Sequence, residues 1–146
     1  MTQILIVCSP GGHFQEALSF FPDTKSNVYK FVVHIPPNFY ENSNDFRDVI
    51  IAPHSERDIR VFKQIYFAFK IIIKEKPHLI ITTGAMIGVI FGFVGKILGV
   101  KFLFIESPTR VLVPSLSAKF SYRFADSFFV RSPDLLKKFP KAEFLS

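Results

Sequence analysis

The chain is predicted to fold as an α/β domain, a Rossmann-like doubly wound parallel sheet of about six strands occupying residues 1–146 as one unit. Three observations carry this reading. Short apolar runs alternate with longer amphipathic stretches along the whole chain, the pattern of successive strand and helix units. The short runs are apolar at nearly every position, as strands are when helices cover both faces of a parallel sheet. The first run also leads through a glycine pair into a helical pattern, as a βα turn does. A hydrophobic fraction of 49% against 21% charged residues supports one full core, and 146 residues leave little room for a second domain.

The elements follow in order. "ILIVC" at 4–8 is the first strand, "SPGGH" at 9–13 the turn, and 12–21 the first helix. "KFVVHI" at 30–35 and "DVIIA" at 48–52 are strands separated by the polar "PPNFYENSNDF" of 36–46, a surface loop. A long amphipathic helix is expected over 58–76, then the strand "HLIIT" at 78–82 and a helix over 85–99. The stretch "GAMIGVIFGFVGKILGV" at 84–100 is apolar, but it is short of the ~20 residues a membrane span needs and is interrupted by Lys96 and by glycines. "KFLFIE" at 101–106, a helix over 115–124, "SFFVR" at 127–131 and a last turn near 133–138, with Ser132 as cap and Pro133 as its opening residue, complete the series.

Charge is unevenly placed. The net charge of +6 resolves into −3 over 1–59, +8 over 60–123 and +1 over 124–146. A basic middle suits phosphates, nucleic acid or an anionic membrane surface. No nucleic-acid-binding motif accompanies it, so no nucleic acid is expected as a partner. Cys8 is the single cysteine, which excludes an intramolecular disulfide and a CxxC zinc site and fits a reducing compartment. Neither a metal nor a cofactor is expected, no signal peptide is recognised, and the expected location is cytoplasmic, peripheral at the inner face of the membrane.

Two features are candidates for function on the residues alone. Gly11 and Gly12 at a strand-to-helix turn let backbone approach an anion, and the helix start they lead into favours a phosphate. The turn is neither the three-glycine dinucleotide fingerprint nor a P-loop, and simple turn-making explains the glycines equally well. His13, at the helix start, is expected to stay neutral near pH 7, which suits a general base, a hydrogen-bond donor to phosphate, or a plain capping residue. The second feature is the helix at 60–76, where Lys63, Phe67, Lys70 and Lys74 recur near one face. A phenylalanine in a basic stripe suits anionic headgroups, and an ordinary amphipathic helix with snorkelling lysines is the alternative. "VLVPSL" at 111–116 adds an apolar loop between Arg110 and Lys119.

Taken together, "VCSPGGHFQEAL", "KPHLIITTGAMIGVIFGFVGKILGVKFLFIES" and "TRVLVPSLSAKFSYRFADSFFVRSPDL" resemble the N-terminal half of a GT-B glycosyltransferase in its split form. That family includes the membrane subunit of the dolichol-pathway N-acetylglucosaminyltransferase and PssD-type bacterial polysaccharide proteins, with a more distant similarity to the acceptor-binding domain of MurG. The resemblance implies an acceptor-side domain whose turns hold a lipid-linked acceptor. Gly11, Gly12 and His13 match the first turn; Thr83, Gly84 and Ala85, with Thr82 beside them, the second, a diphosphate site; and Glu106, Ser107 and Arg110 the third.

The implied reaction moves a sugar from a UDP-sugar to a hydroxyl on a polyprenyl-diphosphate-linked glycan, with His13 and Glu106 as the candidates for base. A salt bridge to Arg110 is the competing role for Glu106. Because the sequence stops at "KFPKAEFLS", near where a complete GT-B enzyme crosses into its donor domain, a separately encoded donor-binding subunit is expected as partner. Two other readings stand beside this one. The first is a non-catalytic membrane scaffold for a catalytic partner, and the second is a self-contained small nucleotide-binding enzyme.

Overall fold

A computed structural model describes residues 4–22, 28–34, 49–53 and 59–146. Seven strands, β1 (Ile4–Cys8), β2 (Tyr29–Val33), β3 (Val49–Ile51), β4 (Leu79–Thr82), β5 (Lys101–Ile105), β6 (Ser127–Val130) and β7 (Glu143–Phe144), form one sheet in the order β3-β2-β1-β4-β5-β6-β7. Every pairing is parallel. The helices are α1 (Gly12–Phe20), α2 (Val61–Glu75), α3 (Met86–Ile97) and α4 (Leu116–Ser121), followed by a 3₁₀ turn over Pro133–Lys137.

Alternation along β1 divides the core. Leu5 and Val7 face a large cluster that takes in Ala68, Ile71 and Ile72 of α2, Ile87 to Val94 of α3 and Ala118 of α4. Ile6 and Cys8 face the opposite side, where Phe14 and Ala17 of α1 pack with Phe31 and Val33. Strands buried on both faces need apolar side chains at successive positions, which is the pattern of the first run. The apolar stretch at 84–100 is a core helix. A Cβ at Gly92 would strike the Phe102 ring and one at Gly88 the Thr82 side chain, so these glycines let α3 lie close on β4 and β5. Among the described residues no helix is long and apolar enough to cross a membrane.

The structure adds a seventh strand, two residues long and paired to β6 through Phe129–Glu143 and Val130–Phe144. The fourth helix is shorter than 115–124: it closes at Ser121, and tight turns carry the chain to Ala125. Pro133 does open the last turn, but Ser132 does not cap it with its side chain; its hydroxyl donates to the Val111 carbonyl at 2.9 Å. The loop at 36–46 lies outside the described residues, as do residue 35 of the second predicted strand, residue 48 of the third and residue 58 at the start of the long helix.

Candidate functional site

The chain lays down β1, β2 and β3 in one direction and then returns to place β4 on the other flank of β1. Sheets of this kind bind ligands outside the carboxyl ends of the strands where the order reverses, here beyond Cys8 and Thr82. Both turns at that point are built from unusual backbone. Gly11 has φ +86° and leads into α1, whereas Gly12 has no such conformation and open space around it. After β4, Gly84 has φ +127° and Ala85 φ +71°, the latter a left-handed conformation that costs a side-chain-bearing residue of order 1–3 kcal/mol. Neither α1 nor α3 has a side-chain cap at its start.

The two turns are locked together through His13. Its imidazole lies on Gly84 so closely that a Cβ at residue 84 would stand 2.8 Å from Cε1. The buried Thr83 hydroxyl donates to the His13 carbonyl at 2.8 Å, and Thr82 Oγ1 bonds both the amide (3.1 Å) and the carbonyl (3.0 Å) of Gly84. Glycine is therefore required at position 84 for its φ and for the ring above it. Burial pulls the imidazole below its ordinary pKa, outweighing the Thr83 backbone and the Glu106 carboxylate, which raise it, while Arg110 adds to the fall. The ring is neutral at pH 7, and its buried Nδ1 has no hydrogen-bond partner among the described residues.

His13 forms part of the wall of two adjoining cavities. The larger, of about 440 Å³, runs past Ala85, Arg110, Pro114, Ser115 and Lys119, and the smaller, of about 280 Å³, past Gly12, Glu16, Pro108 and Thr109. Ser107 and Thr109 line both, their hydroxyls 2.9 Å apart. Hydroxyls, two cations and two uncapped helix starts around a neutral imidazole suit a ligand that is part sugar and part phosphate.

Glu16 is a residue that sequence reasoning missed. Its side chain is only 8% exposed, Oε1 is buried with no hydrogen-bond partner among the described residues, and Arg131 Nη1 is 3.6 Å from it. Burial pushes the carboxyl up to about 7 despite Arg131, and the Glu106 carboxylate pushes the same way. Arg131 in turn sits over the Phe20 ring, 5.4 Å from its centroid. The available signal was spacing, since three residues on from His13 in a helix is the same face.

Glu106, a candidate base on its motif, lies where donors engage both of its oxygens. It is fully buried, and its two oxygens accept from the Ser107 amide (3.0 Å), the Ser115 amide (2.8 Å) and the Ser115 hydroxyl (3.0 Å to each). Ser115 then caps α4 by accepting from the Ala118 amide. The carboxylate is an anchor for both ends of the 107–115 loop. Nor does it pair with Arg110, which is exposed at the cleft. On α2, Lys63, Lys70 and Lys74 are exposed as expected, but Phe67 is turned toward the core and meets Phe91 edge-on at 6.4 Å. The aromatics on the outer face are Phe62 and Tyr66, each 73% exposed, with Ile73 beside them. Spacings of seven and four residues bring the lysines together; the phenylalanine between them falls on the flank that packs against α3.

Comparison with known proteins adds to this geometry. A family model described as "Oligosaccharide biosynthesis protein Alg14 like" matches residues 47–146. The mouse UDP-N-acetylglucosamine transferase subunit ALG14 is 33% identical over 90 residues, 58% of this chain and 42% of that protein. The human subunit of the same name is 27% identical over 127 residues, 82% of this chain and 55% of that protein. The chain thus spans about half, or less, of the length of these curated relatives. Among solved structures, Acinetobacter baumannii MurG superposes with a TM-score of 0.67 at 16% identity, over 90% of this chain and 42% of that one. A UDP-N-acetylglucosamine 2-epimerase from Rickettsia bellii superposes with a TM-score of 0.77 at 11% identity, over 96% and 41%. At such identities the likeness is one of fold.

Proposed function

Because the chain belongs to the Alg14-like oligosaccharide biosynthesis family, we propose that it is the acceptor-side subunit of a two-component glycosyltransferase. In this reading the complex moves a sugar from a UDP-sugar, UDP-N-acetylglucosamine by analogy with the named relatives, to a polyprenyl-diphosphate-linked glycan. The observation that carries it is the seating of His13 on Gly84 at the strand-order reversal, where the two turns open on a cleft lined by Arg110, Lys119, Ser107 and Thr109. His13 is assigned to the acceptor as a neutral hydrogen-bonding group. Arg110, Lys119 and the α1 and α3 starts at Gly11, Gly12, Thr83 and Gly84 are assigned to its diphosphate.

The nucleotide is assigned to a separate donor-binding subunit, since the cleft contains no dinucleotide fingerprint or P-loop. The protein is assigned to the cytoplasmic face of a membrane, held there peripherally by α2 and its neighbours. The test is co-expression with the donor-type partner, co-purification, and transfer from UDP-N-acetylglucosamine to a synthetic polyprenyl-diphosphate monosaccharide. The complex is expected to be active and the isolated chain inactive, with no UDP-N-acetylglucosamine binding by calorimetry. Micromolar binding to the isolated chain would overturn the reading in favour of a self-contained enzyme. Within the active complex, His13→Ala is expected to lower turnover by roughly 10²-fold while leaving partner binding intact.

A further inference from the structure

The reaction proposed above needs a group that takes the proton of the acceptor hydroxyl, and Glu106, with both oxygens engaged by donors and no exposed surface, does not supply it. The geometry points to Glu16 as that group, with the small cavity between α1 and the loop after β5 as the seat of a neutral sugar ring. This inference rests on the acceptor-side reading. Four observations support it. Glu16 is one wall of a cavity of about 280 Å³ whose other walls are Gly12, His13, Ser107, Pro108 and Thr109, a lining of hydroxyls and backbone suited to a polyol. That cavity shares His13, Ser107 and Thr109 with the larger, cationic cleft, so a sugar in one and its diphosphate in the other can belong to one molecule. Oε1 is buried and has no hydrogen-bond partner among the described residues, although a buried carboxylate normally collects several donors. Finally, Arg131 stands off at 3.6 Å, clamped over Phe20, beyond hydrogen-bond distance.

The charged and titratable groups facing Glu16 are His13 on its own helix, Arg131 beyond β6 and the Glu106 carboxylate beyond β5. Burial, reinforced by Glu106 and opposed by Arg131, raises the carboxyl to about 7, near neutrality, where a general base is most effective. In the step itself the acceptor O–H bond breaks, with its proton passing to the Glu16 carboxylate. The oxygen's electron pair forms the bond to the anomeric carbon of the donor sugar. The bond from that carbon to the diphosphate oxygen breaks, and UDP leaves with the bonding pair. Glu16 returns its proton to water.

The test is the pH dependence of kcat/KM in the reconstituted two-component complex, with UDP-N-acetylglucosamine and a synthetic polyprenyl-diphosphate monosaccharide as substrates. The wild-type profile is expected to rise through an acidic limb centred near 7. Glu16→Gln is expected to lose roughly 10²-fold or more at neutral pH and to lose the limb as well. Glu16→Asp, which keeps the charge opposite Arg131, is expected to retain the limb at reduced rate, and Glu16→Ala to regain activity when formate is added. Each variant is first checked for a cooperative melt and for partner binding. A Glu16→Gln complex with wild-type rate and limb would overturn the proposal, as would a slow one whose limb is unchanged, since that outcome makes Glu16 a positioning residue. A wild-type complex that transfers nothing would instead bring down the acceptor-side reading on which the proposal stands.

Discussion

At Glu16 the fold holds a carboxyl that titrates at about 7 in place of its ordinary 4.5. Between those values the folded chain keeps a proton that the unfolded chain has released, so stability present below pH 4.5 is lost as pH rises toward 7. Glutamine mimics the protonated acid, and Glu16→Gln is therefore expected to melt above the wild type at pH 8 and level with it near pH 4.5. His13 contributes with the opposite sign, since its lowered pKa makes stability fall as pH drops below 6.5. That contribution is common to both chains, and the difference between their melting curves across pH isolates Glu16; a difference that does not change with pH would contradict the assignment. A variant more stable yet less active is the usual mark of a functional carboxyl held at a cost to the fold. His13 and the glycines were legible in the sequence because a strand-to-helix turn has a local signature. Glu16 was not, because what distinguishes it is burial beside Arg131, a residue 115 positions away at the end of β6. The surroundings of Glu106 were not legible for the same reason: its donors are set by the path of a loop.

The loop over 107–115 is the element that forms the outer wall of the cleft, and its rigidity comes from below. Glu106 holds its two ends, the Ser132 hydroxyl donates to Val111 and Lys138 donates to Leu112. Glu106→Gln turns an amide NH₂ toward these donors and leaves at least one buried amide unpaired, at an expected cost of about 1–3 kcal/mol in denaturant unfolding. In the complex it is expected to raise KM for the acceptor with the pH profile unchanged, which separates a supporting role from Glu16's. Most helices and strands agreed with their patterns to within a residue or two, because each carries several apolar positions at one period. β7 did not, since two exposed residues have no period and only their pairing with β6 makes them a strand. Ser132 has the right residue type for a cap, and the Val111 carbonyl takes its hydroxyl instead.

Across the whole molecule, α2, α3 and α4 lie side by side on one face of the sheet. The outer surface of this layer bears Phe62, Tyr66, Ile73, Phe93, Ile97, Leu116 and Phe120, all exposed, among Lys63, Lys70, Lys74, Lys96 and Lys119. Glu75 is paired with Lys30, Glu106 is buried and Asp126 is taken up by Lys96, so Lys63, Lys70, Lys74 and Lys119 make the face cationic and apolar together. Such a surface suits an anionic bilayer, with about 1 kcal/mol for each charge near it. Replacing Lys63, Lys70 and Lys74 together by Gln is expected to release the protein from anionic vesicles in a sedimentation assay at physiological salt, while Phe67→Leu leaves binding unchanged. Retention by the triple variant would shift the contact to the apolar side chains alone. The strand order has a consequence of another kind, in the timing of synthesis. Ile4 of β1 pairs with Leu79, 75 positions later, and at ordinary elongation rates that interval is about 4–15 s. For that time the nascent chain leaves one edge of an apolar strand with its N–H and C=O groups unpaired, and a cell that makes this protein has to keep that edge from meeting its like on a neighbouring ribosome.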